Sequence, residues 1–145
     1  MTHPLLAGFP VVIEVDVGWS DMDSYDHVSN LVYFRYFQDA RIDYLSRVGW
    51  LDSKRVSGRG PIVKSTSATY RKPVKYPDRI WVGVRAHEVL TDRVTFEHQL
   101  VSRTWDQIAC VGTAVLVSYD YHNECKVPLP DPVRVAIAAL EAATE

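Results

Sequence analysis

The sequence predicts an α+β fold in which one antiparallel β-sheet packs against a long apolar helix. Two observations support this prediction. A helical stripe of large apolar side chains follows a first strand, and four strand-like segments joined by short links come after it. One sheet and one strongly apolar helix can bury each other, which gives a layered core. The 145 residues are about the length of one domain, and we predict a single domain over residues 1–145.

The spacing of apolar residues defines the first strand and the long helix. In residues 11–19 apolar side chains partly alternate with acidic ones, which is typical of a strand. From Asn30 to Val48 apolar side chains recur every three or four positions, as on one face of a helix. The side chain of Ser29 or Asn30 can cap the start of this helix. Gly49 can end it in a left-handed conformation.

Four segments rich in β-branched and aromatic residues predict the remaining strands: 61–71, 79–90, 93–104 and 107–119. Residues 53–60 are polar and are expected to form a connection. The short links at residues 91–92 and 104–106 predict antiparallel hairpins. The tail, residues 131–144, carries one apolar stripe and predicts a closing helix, with Asp131 as N-cap and Pro132 as its first residue.

Composition and charge exclude several classes of protein. The formal net charge is −2, without the basic stripe of a nucleic-acid-binding protein. Charged residues interrupt every apolar stretch well before the roughly 20 residues needed to cross a membrane, and the N-terminus does not resemble a signal peptide. Cys110 and Cys125 lack zinc-ligand spacing and fit a reducing compartment. We therefore predict a cytoplasmic protein without nucleic-acid or membrane partners.

The most informative segment is the Ser- and Asp-rich loop directly before the long helix. It contains three aspartates, a histidine and an asparagine: Asp21, Asp23, Asp26, His27 and Asn30. A helix N-terminus offers free amide groups that can stabilise an oxyanion. A nearby carboxylate can act as nucleophile or as general base, and a histidine can donate a hydrogen bond. These groups suit acyl transfer, although the same residue types also occur in ordinary loops and caps.

The same segment resembles the signature of the hydroxybenzoyl-CoA thioesterase branch of the hotdog superfamily. The matching residues are Asp21, Asp23, His27, Val28, Asn30, Tyr33, Tyr36, Ala40 and Arg41. Residues 61–63 and 70–78 also resemble the family, and the predicted order of elements is the hotdog order. The resemblance covers nearly the whole chain. It implies a hotdog fold, a curved antiparallel sheet wrapped around a central helix with a C-terminal helix, and hydrolysis of an acyl-CoA thioester to a free acid and coenzyme A.

The resemblance also implies roles for the residues before the helix. Asp23 matches the catalytic carboxylate, as nucleophile or as general base, while Asp21 is expected to shape the loop. His27 is expected to orient the thioester carbonyl or Asp23, or else only to pack. The amides of Val28, Ser29 and Asn30 are expected to form the oxyanion site, with Asn30 otherwise a simple cap.

Further residues are implied for substrate binding. Tyr33 is expected to line the acyl pocket or to belong to the core. Residues 61–72 contain no second carboxylate, which favours an arrangement with a single catalytic aspartate. One of Ser65, Thr66 and Ser67 is expected to position the attacking water, because they lie where members of the family present a polar strand to the thioester. Basic side chains are expected to bind the coenzyme A phosphates: Arg71, Lys72 and Arg93.

The family resemblance implies an assembly. A homodimer or homotetramer is expected, with each pocket completed across the subunit boundary, and no metal or organic cofactor is required.

Three alternative functions remain open. One alternative is a hotdog enoyl-CoA hydratase, although its usual proline-containing motif does not match this loop. Another is a protein that binds acyl-CoA without turnover. A third is a metal site formed by Asp21, Asp23 and His27.

Overall fold

A computed structural model describes residues 3–144, so the first two residues of the N-terminal segment lie outside the described part. Its strands form one antiparallel sheet in the order β1–β3–β4–β5–β2, and the short β6 pairs with β5. The strands are β1 (Val11–Asp16), β2 (Arg59–Tyr70), β3 (Arg79–Val89), β4 (Arg93–Ser102), β5 (Gln107–Asp120) and β6 (Cys125–Lys126). The helices are α1 (Asn30–Arg47), α2 (Trp50–Ser57) and α3 (Asp131–Ala142).

The long helix α1 lies in the concave face of the curled sheet, as the sequence predicts. It buries the aromatic side chains Tyr33, Tyr36, Phe37 and Tyr44 against apolar side chains of β3, β4 and β5. Gly112 of β5 faces α1 closely, because an added Cβ would lie 2.6 Å from the Phe37 ring. The structure therefore confirms the α+β class and the hotdog-type arrangement.

The ends of the helices follow local chemistry. Ser29 caps α1, and its hydroxyl accepts a bond from the Leu31 amide at 3.4 Å. Gly49 has a φ of 77°, the left-handed conformation expected at the end of α1. The closing helix α3 begins at Asp131 rather than Pro132, and Pro130 is its N-cap without a side-chain bond. The predicted cap at Asp131 is therefore one residue too late.

The sequence prediction misses two elements. Residues 50–57 form α2, a short helix whose buried contact with the core comes from Trp50, while the rest of its residues are mostly exposed. Because residues 53–57 are mostly polar, the sequence prediction assigned them to a connection. The two-residue β6 is too short to carry a periodic signal. The hairpins β3–β4 and β4–β5 form as predicted.

The convex face of the sheet is partly covered by the N-terminal segment. Leu6 and Phe9 are buried there against Val101, and Gly83 leaves room for both side chains. The strand β2 lies at one edge of the sheet, and most of its residues are exposed. Among residues 3–144, no helix combines the length and the apolar character that a membrane span requires.

Candidate active site

Residues 22–28 form a tight hairpin that leads into α1. Met22 and Val28 pair in a single antiparallel bridge, and the Asp23 amide donates to the His27 carbonyl at 3.0 Å. Asp26 adopts a positive φ of 60°, a turn conformation that aspartate tolerates. The hairpin therefore holds the two predicted catalytic residues, Asp23 and His27, directly opposite each other.

The side chain and backbone of Asp21 hold this hairpin in place. Its carboxylate is buried and accepts bonds from the Gly18 amide (2.9 Å), the Arg35 guanidinium (2.8 Å) and the Tyr36 hydroxyl (2.7 Å). Burial by itself raises the pKa of Asp21, but bonds from Arg35, Tyr36 and Gly18 outweigh it, so the pKa is lowered. The Asp21 carbonyl also accepts from the Ser29 amide at 2.9 Å. Asp21 therefore fixes the loop to the start of α1.

Asp23 has the opposite surroundings. It is exposed, and its Oδ1 accepts a bond from the Tyr25 amide at 2.9 Å. Within residues 3–144 its Oδ2 has no hydrogen-bond partner. The Asp23 carboxylate is thus oriented by the backbone but keeps one oxygen free for a substrate or a water molecule.

A cleft of about 320 Å³ opens beside the hairpin at the N-terminus of α1. It brings together six residues that the sequence predicts for the site: His27, Val28, Asn30, Tyr33, Arg71 and Lys72. Asp23 and Ser29 do not line this cleft within one chain.

Two cleft residues were not anticipated from the sequence, Tyr70 and Pro73. The Tyr70 hydroxyl donates to the Asn30 carbonyl at 3.2 Å, and its ring packs edge-on against Tyr33. Tyr33 itself is buried, its hydroxyl accepts a weak bond from the Val74 amide, and burial raises its pKa to about 12. The sequence signal that could have identified Tyr70 is its position directly before Arg71 and Lys72, the two predicted phosphate-binding residues.

The structure distinguishes the three amides predicted for the oxyanion site. The Val28 amide donates to the Val74 carbonyl at 2.8 Å, and the Ser29 amide donates to Asp21. Among the described residues, only the Asn30 amide of the three lacks an acceptor. It is also the first residue of α1, where the helix dipole adds positive potential. The predicted donor set is therefore reduced to Asn30 in this conformation.

Arg71 and Lys72 form the basic wall of the cleft. Their backbone amides both donate to the Ala109 carbonyl, at 2.8 and 3.1 Å, which fixes this segment to the start of β5. The Lys72 ammonium lies 4.9 Å from the centre of the Trp105 ring. Arg71 is exposed. Both side chains can therefore meet an anionic group that enters the cleft.

Arg93 does not join this basic wall within one chain. Tyr70 pairs with Cys110 of β5, whereas Arg93 pairs with Val117, seven residues further along that strand. Seven strand residues span about 23 Å. Arg93 is also engaged by Asp92 in an ion pair of 2.8 Å. Its predicted role in phosphate binding would require a site on another subunit.

The three polar residues of β2 point to two different faces of the sheet. Thr66 pairs with the buried Ala114 and faces α1, while its neighbours Ser65 and Ser67 face the convex side. The Ser67 hydroxyl lies 2.6 Å from the hydroxyl of Thr113. None of the three lines the cleft of its own chain.

The hypothesis of a metal site at Asp21, Asp23 and His27 has no geometric support. Across residues 3–144, no group of three or more His, Cys, Asp or Glu side chains is arranged to hold a metal ion. Asp21 is already committed to three hydrogen-bond donors, as described above.

Comparison with known proteins places this architecture in a family. The sequence profile of the Thioesterase-like superfamily matches residues 17–137. The PA2801 protein of Pseudomonas aeruginosa is 32% identical, covers 89% of this chain and 98% of its own, and superposes with a TM-score of 0.79. A thioesterase of Thermus thermophilus, complexed with coenzyme A and Zn, is 31% identical, with 93% and 96% coverage and a TM-score of 0.82.

The PA5185 protein of Pseudomonas aeruginosa is 28% identical, with 93% and 94% coverage and a TM-score of 0.80. A search of curated protein sequences gives no match. The profile match spans most of the chain, and two solved structures exceed 30% identity over nearly the full length of both partners. The chain therefore belongs to the Thioesterase-like superfamily and is a hotdog-fold thioester hydrolase.

Proposed function

We propose that this protein hydrolyses an acyl-CoA thioester to a free acid and coenzyme A, with Asp23 as the catalytic carboxylate. The observation that carries the proposal is the unpaired amide of Asn30, a residue that starts α1 and lines the cleft beside the Asp23–His27 hairpin. An oxyanion formed by attack on a thioester carbonyl needs such a fixed donor. The site requires no metal or organic cofactor.

In the proposed reaction the thioester carbonyl oxygen accepts a bond from the Asn30 amide. Asp23 either attacks the carbonyl carbon or removes a proton from an attacking water molecule. Negative charge develops on the carbonyl oxygen and is stabilised by the helix N-terminus. Collapse of the tetrahedral intermediate breaks the carbon–sulfur bond and releases the coenzyme A thiolate. On the general-base route the thiolate takes up the proton that Asp23 removed from water, and the free acid is formed directly. On the nucleophilic route the thiolate takes a proton from solvent, and water then hydrolyses the mixed anhydride to release the free acid and restore the Asp23 carboxylate. His27, which lines the cleft, orients the carbonyl or Asp23.

Coenzyme A is proposed as the carrier because the cleft has a basic wall at Arg71 and Lys72. Its phosphates would bind there, while the pantetheine arm would lead towards Asn30. The Thermus thermophilus thioesterase, which is 31% identical, is complexed with coenzyme A in its structure. This relative supports the proposed carrier.

A second copy of the chain is proposed to complete the site. Asp23 does not line the cleft of its own chain, and Ser65, Thr66, Ser67 and Arg93 also lie outside it. A dimer joined at the free edge of β2 would bring residues of one subunit towards the cleft of the other.

A cytoplasmic location is proposed because Cys125 is exposed and neither cysteine of the described chain forms a disulfide.

The test is a hydrolysis screen with aliphatic and aromatic acyl-CoA thioesters, in which released thiol is measured with a chromogenic disulfide. Turnover of at least one thioester is expected. Parallel incubation with an enoyl-CoA, followed by absorbance, detects a hydratase. Tight binding of acyl-CoA without thiol release, or hydration without hydrolysis, would overturn the proposal.

A further inference from the structure

A second cavity lies between α1 and the free edge of the sheet, and we call it the Arg41 cavity. Its volume is about 270 Å³. Its walls come from α1, β2, β4 and β5 and are formed by Phe34, Phe37, Gln38, Arg41, Val63, Thr66, His98 and Thr113. The walls thus combine apolar and polar side chains with one cationic group, and none of these residues lines the cleft described above.

The cation in this cavity is unusually isolated. Arg41 is only 6% exposed, yet no carboxylate of residues 3–144 forms an ion pair with it. Burial alone lowers the pKa of its guanidinium, because no nearby negative charge compensates. A buried arginine is normally paired, because removing an unpaired guanidinium from water is strongly unfavourable. Arg41 therefore has unused capacity to bind an anion.

His98 holds Arg41 without neutralising it. The Arg41 Nη1 lies 3.4 Å from the His98 Nε2. A guanidinium can only donate, so Nε2 is the acceptor and the proton of the neutral ring is on Nδ1. His98 is 2% exposed and stacks on Phe37. A neutral imidazole at this place orients the guanidinium and leaves its positive charge available.

The Arg41 cavity lies along the same helix face as the proposed oxyanion donor. Asn30, Phe34, Gln38 and Arg41 follow one another at steps of four, four and three residues, so they form one stripe on α1. Eleven helical residues separate Asn30 from Arg41, which is about 16 Å along the axis. Side chains of an α-helix lean towards its N-terminus, so we expect the Arg41 guanidinium to lie closer to Asn30 than this axial distance. An extended acyl chain held at Asn30 could therefore reach the guanidinium.

We propose that Arg41 binds the terminal carboxylate of the acyl group, so that the preferred substrates are thioesters of medium-length dicarboxylic acids. This inference rests on the proposed thioesterase function and specifies its substrate class. The methylenes of the acyl chain pack against the apolar part of the stripe, including Phe34. The planar guanidinium receives the carboxylate, which supplies the missing negative charge. His98 acts as a positioning residue.

The first test uses the wild-type protein and three matched thioesters of coenzyme A: suberoyl, its monomethyl ester, and octanoyl. These substrates share their chain length in the acyl segment, but only suberoyl ends in a negative charge. We expect kcat/KM for suberoyl-CoA to exceed that for the methyl ester by about ten- to a hundredfold, the range of a charge-assisted bond. Equal values for the two, or a preference for the ester, would overturn the inference.

The second test uses substitutions of Arg41. Methionine keeps an unbranched apolar stem and removes the buried charge, a change that folded proteins often tolerate. In R41M the ratio of kcat/KM for suberoyl-CoA to that for octanoyl-CoA should fall by about ten- to a hundredfold. R41K should keep part of the ratio, because it retains the charge but not the planar fork. The control R47M changes an exposed arginine of the same helix, which pairs with Asp43, and should leave the ratio unaltered.

Binding of free suberate gives a readout that does not depend on hydrolysis. In calorimetry, the wild-type protein should bind suberate more tightly than octanoate, and R41M should abolish this difference in affinity. If suberate binds but no acyl-CoA is hydrolysed, the thioesterase proposal fails while the carboxylate site stands. If acyl-CoA is hydrolysed and R41M changes only the oligomeric state, the anion at Arg41 belongs to a second copy of the chain, and the inference is wrong.

Discussion

At the scale of single residues, the two aspartates of the loop differ in what surrounds them. Asp21 is buried and accepts three hydrogen bonds, which leave its carboxylate no freedom to react. Asp23 is exposed, accepts one backbone bond and keeps an oxygen free. A nucleophile or base must reach its substrate, whereas an anchoring group must not move. The surroundings therefore favour Asp23 as the reactive carboxylate and Asp21 as the support of the hairpin.

Replacing Asp23 with asparagine should lower kcat for an acyl-CoA substrate by more than tenfold. The amide keeps the shape and the bond from Tyr25 but cannot act as nucleophile or base. Thiol release and the thermal midpoint are measured for D23N and for D26N, an equally exposed aspartate of the same hairpin. D26N should retain activity, and both variants should melt near the wild type. A D23N protein with more than a tenth of wild-type turnover would refute the assignment.

Alanine at Arg71 or Lys72 should raise KM more than it lowers kcat. Phosphates of coenzyme A lie far from the breaking bond, so their binding energy is shared by the ground state and the transition state. Each lost charge-assisted bond should weaken binding by about 1.5–3 kcal/mol, roughly ten- to a hundredfold. Kinetics are compared with a coenzyme A thioester and with a pantetheine thioester that lacks the nucleotide.

One control and one further test of this prediction come from two other arginines. R55A removes an exposed arginine on α2 and should change neither substrate's KM. R93A tests whether the nucleotide reaches the opposite end of the sheet, as it would from a neighbouring subunit. If R71A and K72A both affect the two thioesters equally, the nucleotide does not bind at this wall.

At the scale of elements, α1 combines two functions along its length. Its first residue, Asn30, lines the cleft and has an amide without an acceptor among the described residues, and its middle turns place Arg41 against His98 of β4. Burial, and then the charge of Arg41, lower the pKa of His98 to about 3, while the Gly112 backbone opposes this shift only weakly. The His98 Nδ1 itself lacks a hydrogen-bond partner among the described residues. The helix and the sheet thus meet at a histidine that must stay neutral.

The contact between α1 and β4 predicts how stability depends on pH. Unfolded histidine has a pKa near 6.5, so below this pH the unfolded chain binds a proton that His98 in the folded chain does not bind. The contribution of His98 to the free energy of unfolding should therefore be largest above about pH 6.5. It should fall by about 1.4 kcal/mol per pH unit between about pH 6.5 and about pH 3. Urea titrations between pH 7 and 4.5 measure the slope.

The matched variant for this prediction is His98→Gln, which keeps an acceptor for Arg41 but cannot titrate. Its slope between pH 6.5 and 4.5 should be smaller than that of the wild type. The pKa values of Asp21 and Asp120 are lowered from 3.8, so the stability that these aspartates contribute is lost as the pH falls below about 3.8, outside the range of this comparison. Identical slopes for the variant and the wild type would show that His98 is not the group responsible.

At the scale of the whole molecule, the sheet ends in a long free strand. β2 has 12 residues, lies at the edge of the sheet, and exposes the apolar side chains of Ile62 and Val63. Long exposed edges tend to pair with another strand, and natural proteins usually cover them. A second copy that pairs at β2 would bury this edge and bring its own residues near the cleft.

The protein should therefore be at least dimeric at micromolar concentration. Light scattering coupled to size-exclusion chromatography measures the mass against the 16.5 kDa of one chain. Dilution that dissociates the assembly should also reduce the specific activity, because each site is proposed to need both copies. A stable monomer with full activity would contradict this prediction, whereas a tetramer would agree with it.

The sequence by itself determined the features that depend on neighbours along the chain. The periodicity of residues 30–48 predicted α1, and Ser29 and Gly49 marked its ends, because capping and left-handed turns are local properties. The short links between β3, β4 and β5 predicted hairpins for the same reason. The chemistry of the loop before α1 predicted where the site lies, a prediction that the proposed variants test. The helix α2 was missed because its polar surface hides one buried contact, that of Trp50.

Only the tertiary structure decided which groups of this region remain free and which distant residues meet them. The Val28 amide is occupied by Val74, which lies far along the chain, so the unpaired donor Asn30 could not be recognised from the sequence. Strand register separates Arg93 from the cleft and places His98 beside Arg41. Pairing between distant strands depends on how the whole sheet packs on α1, and no local pattern encodes it.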